Sequence, residues 1–211
     1  YRITNLTYQG KAIGLNTATA LSSGSILVGI DGDAVLDRDA LGWLVRHFIG
    51  NPGIGAVTGN PRIRTRSTVI GRLQVAEFSS VIGLIKRAQH TVFGRLFTIS
   101  GVVAAFSREA MVQAGGWSED MLTEDIDVSW KLQTRGWALR FEPRALVWIL
   151  MPETIKGLWK QRLRWAMGGV QVIRKYRWVL GERSLRSLGP TFLECCLSIA
   201  WAYCLAFTLL F

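Results

Sequence analysis

Ser25-Ile-Leu-Val-Gly-Ile-Asp-Gly-Asp33 is the stretch on which the fold turns. Ser25 to Ile30 is a short apolar run rich in β-branched residues, which reads as a buried strand. Two acids follow it directly. On an extended chain, side chains two apart point the same way, so Asp31 and Asp33 would converge on one hard divalent cation. Gly32 between them lets a ligand approach the backbone closely. Read alone, the tripeptide equally suits a polar turn. Working outward, Asp39 to Ile49 has helical periodicity and stops at Gly50-Asn51-Pro52-Gly53. Gly55 to Asn60 reads as a second strand, ending in a turn at Asn60-Pro61. Thr68 to Gln89 looks helical, and Leu96 to Phe106 (LFTISGVVAAF) reads as strand, turn and strand. Glu124 to Thr134 is helical, and Ala138 to Ile149 contains further strand. This alternation implies an α/β layered domain that binds ligands at strand carboxyl ends.

Composition narrows the class. The 211 residues carry 25 Lys and Arg against 15 Asp and Glu, a net +10, yet 49% are hydrophobic. Such a chain buries enough apolar surface to offset its ordering entropy, so disorder is excluded. Glycine without a period excludes a collagen-like chain. Cys195, Cys196 and Cys204 share one late apolar run, which excludes a disulfide scaffold. Basic and hydrophobic together point to an anionic ligand, a membrane surface, or both. The positive charge concentrates in 60–95 and in 151–190. The closing stretch 191–211 holds one charge, Glu194, and its apolar run reaches the ~17–25 residues of a helical membrane span. Basic residues directly before it place that flank in the cytoplasm. The start at Tyr1 and the stop inside the apolar run suggest a fragment of a larger, multi-pass membrane protein. The expected units are a catalytic domain over 1–150, a basic amphipathic interfacial segment over 151–190 and a truncated transmembrane helix over 191–211.

Three further groups could carry chemistry. Thr123-Glu124-Asp125 opens a helix; Thr is a good N-cap and first-turn acids suit the helix dipole, but a carboxylate held there could also take a proton from a hydroxyl. Gln161, Arg164 and Trp165, at i, i+3 and i+4, share a face of a helix from about 154 to 177. Its apolar stripe runs through Ile155, Leu158, Trp159, Leu163, Ala166, Val170 and Ile173. An amide, a cation and an aromatic ring beside that stripe suit a sugar and a phosphate, or equally an interfacial helix with a Trp anchor. Arg62, Arg64 and Arg66 alternate on an extended segment and could meet anions or simply solvent. His47 and His90 lack metal-spaced partners. Gly10-Lys11 could meet a phosphate, without a Walker-type loop around it.

The order of these motifs is more specific than any one of them. Asp-x-Asp after a strand, Thr-Glu-Asp some ninety residues on, then Gln-x-x-Arg-Trp before an apolar span resembles the family 2 glycosyltransferases. Among these it is similar to the processive membrane-embedded synthases of cellulose, chitin, hyaluronan and, most of all, poly-N-acetylglucosamine. TGNPRIRTRSTVIGRLQVAEFSSVIGLIKRAQ, TISGVVAAF, MLTEDIDVSWKLQ and ILMPETIKGLWKQRLRWAMGG carry the likeness, which covers Tyr8 to about Arg177.

The resemblance implies a partial GT-A domain of α/β class, an interfacial helix and the start of a transmembrane helix. It implies an inverting transfer of N-acetylglucosamine from UDP-GlcNAc into a β-1,6-linked biofilm exopolysaccharide. Asp31 and Asp33 would engage Mg²⁺ or Mn²⁺ and the donor diphosphate. Asp125 would be the general base, and Glu124 would shape the acceptor site. Gln161 and Arg164 would hold the diphosphate side, Trp165 would stack near the acceptor terminus, and Lys11 matches a loop near the nucleotide. The family's first nucleotide-binding strand would precede Tyr1. The bacterial inner membrane, its lipid, a small accessory subunit and cyclic-di-GMP control are implied as setting and partners, with no nucleic acid. Two other classes stay open: an anionic-polymer-binding membrane protein, and a membrane receptor with a degenerate transferase domain. Within the enzymes, a hyaluronan, chitin or cellulose synthase is the competitor.

Overall fold

The computed structural model describes residues 10–210, with the side chains of 81–82, 184, 201–203 and 205–210 outside the description. Five strands form one mixed sheet, in the order β1 (Ile26–Ile30), β4 (Val103–Ser107), β3 (Ile54–Ile63), β5 (Ala138–Ile149), β2 (Val35–Leu36). Among the described residues only β3 and β5 run parallel; β1 with β4, β4 with β3, and β2 with β5 are antiparallel. The sheet separates two apolar layers because alternate residues face opposite ways. On one face Ala104 and Phe106 join Ala110, Met111, Trp117, Val128 and Leu132 from α5 (Arg108–Ala114), α6 (Glu124–Thr134) and the loop between them. On the other, Val103 and Ala105 meet Ala40 and Leu44 of α2 (Ala40–Val45). The α/β layering expected from the sequence is therefore present, with a mixed sheet.

Several local expectations change. β1 is an edge strand of the described sheet, with Val28 37% and Ile30 42% exposed, rather than a buried one. Asp-Gly-Asp does not continue it in extended form: Ala34 N–H donates to Asp31 O at 3.0 Å, closing a tight turn. β3 does not stop at Asn60-Pro61 but runs on to Ile63, with Pro61 opposite Val147. Its pairing with β4 covers only Ala56–Thr58, so Pro61 lies where one edge is unpaired and its missing N–H costs no ladder bond.

The segment 96–100 is not the strand expected in LFTIS. It is irregular backbone, yet Leu96, Phe97 and Ile99 are buried. Side chains satisfy it instead of a ladder. Gln89 Oε1 accepts from Phe97 N–H, Gln133 Nε2 donates to Phe97 O, and Lys86 Nζ donates to Thr98 O at 2.6 Å. Ile99 N–H donates to Ser129 Oγ, and Ser100 N–H to Thr58 Oγ1. Each buried backbone group so paired avoids a penalty comparable to a lost hydrogen bond. Gln89 and Lys86 belong to α4 (Lys86–Phe93), which continues α3 (Val69–Ser80) through a π-helical turn, Val81–Ile85. This covers the helix expected over 68–89.

The helix expected near 154–177 forms as α7 (Ile155–Tyr176), capped by Thr154 Oγ1 accepting from Gly157 N–H. Its buried residues are Gly168, Val172 and Tyr176, while Ile155, Trp159, Leu163 and Val170 of the apolar stripe stay exposed. Tyr176 stacks on Trp130 of α6 with ring centroids 5.2 Å apart. The span expected over 191–211 is not found: among the described residues, no helix is long and apolar enough to cross a membrane. A helix does form there, α8 (Gly189–Leu210), though most side chains of its apolar second half lie outside the description.

Candidate active site

The site gathers where β1 ends and β4 begins. Because the two strands are antiparallel, Asp31, just past β1, meets the approach to β4: its N–H donates to Val102 O at 3.0 Å. The helix α1 (Lys11–Leu21), not foreseen in the sequence, starts at Gly10, whose φ of 100° favours glycine. That start sends Lys11 into the same corner. Its Nζ lies 2.5 Å from Asp31 Oδ1, 3.0 Å from Glu124 Oε1 and 3.2 Å from Gly101 O. Burial lowers the Lys11 pKa, but Asp31 and Glu124 outweigh it, and the net direction is upward.

Asp125 sits in the first turn of α6. Its Oδ2 accepts from Gly101 N–H at 2.8 Å and its Oδ1 from Ile126 N–H at 2.9 Å. Burial, then the charge of Glu124, pushes the Asp125 carboxyl above its ordinary value, against the two N–H groups and Lys11. An added Cβ at Gly101 would lie 2.9 Å from Asp125 Oδ2, so only glycine permits this approach. Thr123 does not cap α6. Among the described residues its Oγ1 is buried without a partner, and the residue packs instead against Gly168 of α7. The close approach of α7 takes the side chain that a cap would need.

The structure thus brings together Lys11, Asp31, Glu124 and Asp125 around Gly101. Trp165 and Gln161 stand in the adjoining apolar cluster. Trp165 packs with Ile63, Ile149 and Met151, beside Ala34 and Val102 that flank the turn and Gly101. Arg162 lies over its ring at 4.7 Å. Gln161 Nε2 is 3.9 Å from Met151 Sδ, and among the described residues its Oε1 is buried without a partner. Asp33 and Arg164 are exposed, and among the described residues neither side chain makes a hydrogen bond or ion pair. Gly101, which the sequence does not single out, holds Asp125, and Lys86 is buried on Thr98 O; the sequence carries no local signal for a lysine that faces inward from a helix.

Among the described residues no three His, Cys, Asp or Glu side chains gather around a metal position. The bonds to Asp31 fall on Oδ1, which leaves Oδ2 open. Asp31 therefore suits a hard cation that takes one or two protein carboxylates and draws its other ligands from phosphate and water; the turn removes the extended geometry expected to align Asp33 with it and leaves Asp33 exposed.

The family described as glycosyl transferase family group 2 matches residues 26–211. The chain is 45% identical over 195 residues to poly-β-1,6-N-acetyl-D-glucosamine synthase of Staphylococcus epidermidis, covering 92% of this chain and 47% of that protein. The synthase of the same name from Staphylococcus aureus strain COL is 44% identical over the same span. The chain thus spans about half the length of these relatives. Its fold is similar to that of a mannosyltransferase from Pyrobaculum calidifontis solved with GDP-Man and Mn²⁺, at TM-score 0.62 and 23% identity, over 92% of this chain and 55% of that one. With an acidic turn closing β1, a buried acid opening α6 and these relatives in sequence, the chain belongs to glycosyl transferase family group 2.

Proposed function

We propose that this chain carries the catalytic part of an inverting, membrane-bound glycosyltransferase that adds N-acetylglucosamine from UDP-GlcNAc to a growing β-1,6-linked exopolysaccharide. One observation carries the reading: the Asp125 carboxylate is gripped by Gly101 N–H, raised in pKa, and adjoins the Lys11–Asp31–Glu124 set. The identity to the staphylococcal synthases supports the choice of sugar and linkage.

Inversion by direct displacement needs one base and a stabilised leaving group, not the second carboxylate of a double-displacement glycosidase. The acceptor hydroxyl oxygen attacks the anomeric carbon while the bond from that carbon to the UDP oxygen breaks. The hydroxyl proton passes to Asp125, and UDP departs with the bonding electrons. A carboxylate raised toward the working pH is a stronger base than an ordinary one. Asp31 and Asp33 would hold Mg²⁺ or Mn²⁺, which supplies charge neutralisation of the diphosphate when bound. Lys11 orients Asp31 and adds positive charge beside it, and Glu124 shapes the acceptor side. Gln161 and Arg164 would hold the diphosphate, with Trp165 near the acceptor terminus.

In this reading 1–150 is the catalytic domain, 151–190 lies at the bilayer surface and 191–211 enters it. The exposed Ile155, Trp159 and Leu163 of α7, and Leu193 and Leu197 of α8, support a membrane seat. The accessory subunit and cyclic-di-GMP control rest on the resemblance alone.

The test uses membranes carrying the full-length parent, given UDP-GlcNAc with Mg²⁺ or Mn²⁺, beside Asp125→Asn. Metal-dependent UDP release and a polymer cut only by a β-1,6-specific glycosidase, both lost in the variant, are expected. A polymer cut by chitinase or hyaluronidase would overturn the product, and turnover by Asp125→Asn would overturn the base.

A further inference from the structure

We propose that Lys86 is a positioning residue for the candidate base: from the inward face of α4 its ammonium fixes the 96–101 segment and sets a buried positive charge toward Asp125. The inference rests on the assignment of Asp125 as the base. Lys86 is 7% exposed, and its Nζ donates to Thr98 O at 2.6 Å. Three residues on, Gly101 N–H holds Asp125 Oδ2. Lys86 therefore acts on Asp125 along the backbone as well as through its charge.

The choice of lysine is what needs explaining. A neutral donor suffices for a buried carbonyl, and the same segment shows it: Gln133 Nε2 donates to Phe97 O, and Gln89, one helical turn after Lys86, accepts from Phe97 N–H. Burying an ammonium costs far more than burying an amide unless acids face it. The acids that act on Lys86 are Asp125 of α6 and Glu194 of α8. Burial, partly offset by those two acids, lowers the Lys86 pKa to about 8, so the ammonium persists at neutral pH. Asp125 in turn feels Glu124 and Lys11. Of the five side chains that hold 96–100, Lys86 alone is charged.

Lys86→Gln separates the two roles, since it keeps a donor and removes the charge; Lys86→Arg keeps the charge. In full-length protein in membranes, Lys86→Gln is expected to leave KM for UDP-GlcNAc within about twofold and to lower kcat roughly tenfold, as a displaced reacting group does. Its acidic limb should move to higher pH, because Asp125 loses a nearby cation. The wild-type rate should fall above about pH 8 as Lys86 deprotonates, and Lys86→Arg should carry activity past that point. Unchanged kcat and pH limbs in Lys86→Gln, with Asp125→Asn inactive, would overturn the role of Lys86 alone. If Lys86→Gln does not fold, an alkaline limb identical in wild type and Lys86→Arg would overturn it instead. An active Asp125→Asn would show that the base assignment, and not Lys86, had failed.

Discussion

Substituting Gly101 with alanine tests the proposed base, Asp125, and its holder together. Gly101 does not have a positive φ, so alanine meets no backbone strain there. The whole effect is steric. The new Cβ would lie 2.9 Å from Asp125 Oδ2 and 3.1 Å from both Cβ and Cγ of Asp125, roughly 0.5 Å inside ordinary contact. Asp125 cannot simply swing aside, because Ile126 N–H holds its other oxygen at 2.9 Å. The carboxylate must turn and give up the Gly101 N–H bond, a charge-assisted contact worth about 1.5–3 kcal/mol. Overpacking of this kind costs about 1–3 kcal/mol of stability. The loss of rate should be of the same order, near 100-fold in kcat or about 2.7 kcal/mol, since a misplacement of about 1 Å at a reacting group costs that much. With one N–H gone, the Asp125 pKa rises further, so the acidic limb of kcat/KM moves to higher pH. UDP release from UDP-GlcNAc by the full-length protein in membranes, followed across pH, gives both readings. A thermal melt of the same preparation gives the third. Wild-type kcat and an unmoved acidic limb in a folded Gly101→Ala protein would refute the reasoning.

Three other outcomes follow from the packing and the charges. At Gly168 an added Cβ would lie 2.4 Å from Thr123 Cγ2 and 2.5 Å from its Oγ1, so Gly168→Ala should destabilise by about 1–3 kcal/mol. Adding Thr123→Ala should restore part of this in a double-mutant cycle read by denaturant melts, and additive effects would exclude the contact. Burial pushes the Glu142 pKa up, but hydrogen bonds from the Arg144 side chain and N–H and from His47 hold it at about 2 against an ordinary 4.5. A depressed carboxyl stabilises the fold above its unfolded value and loses that contribution as pH falls, here from about 4.5 to about 2. Acid titration of stability should therefore lose a step in Glu142→Gln, and identical acid limbs would contradict the assignment. Chelation of divalent cations should stop UDP release and leave the melting temperature unmoved, since among the described residues no three-residue ligand cluster ties a metal into the fold; a falling melting temperature would indicate a structural ion.

The layered α/β architecture, and the helices bearing Glu124–Asp125 and Gln161–Trp165, were legible because they rest on local periodicity. Apolar spacing of 3.6 residues survives any tertiary context that buries one face. The errors lie where distant residues decide. LFTIS has the composition of a strand, yet Gln89, Lys86, Ser129, Gln133 and Thr58 supply the hydrogen bonds that a neighbouring strand would have supplied. Thr123 has the composition of a cap, yet Gly168 brings α7 against it. Asp-Gly-Asp was open to either conformation, and the backbone bond from Ala34 to Asp31 makes it a turn.

From the sequence alone came the two acidic motifs and their order, which are properties of residue type and spacing, and through them a resemblance to the family. Only the tertiary structure decided that Lys11, Asp31, Glu124 and Asp125 share one corner, that Gly101 N–H holds Asp125, and that Lys86 turns inward onto Thr98 O. Those relations join residues from separate elements through the antiparallel pairing of β1 with β4. Hydrogen bonding and burial act across space, and no spacing along the chain encodes which distant partner a side chain will meet.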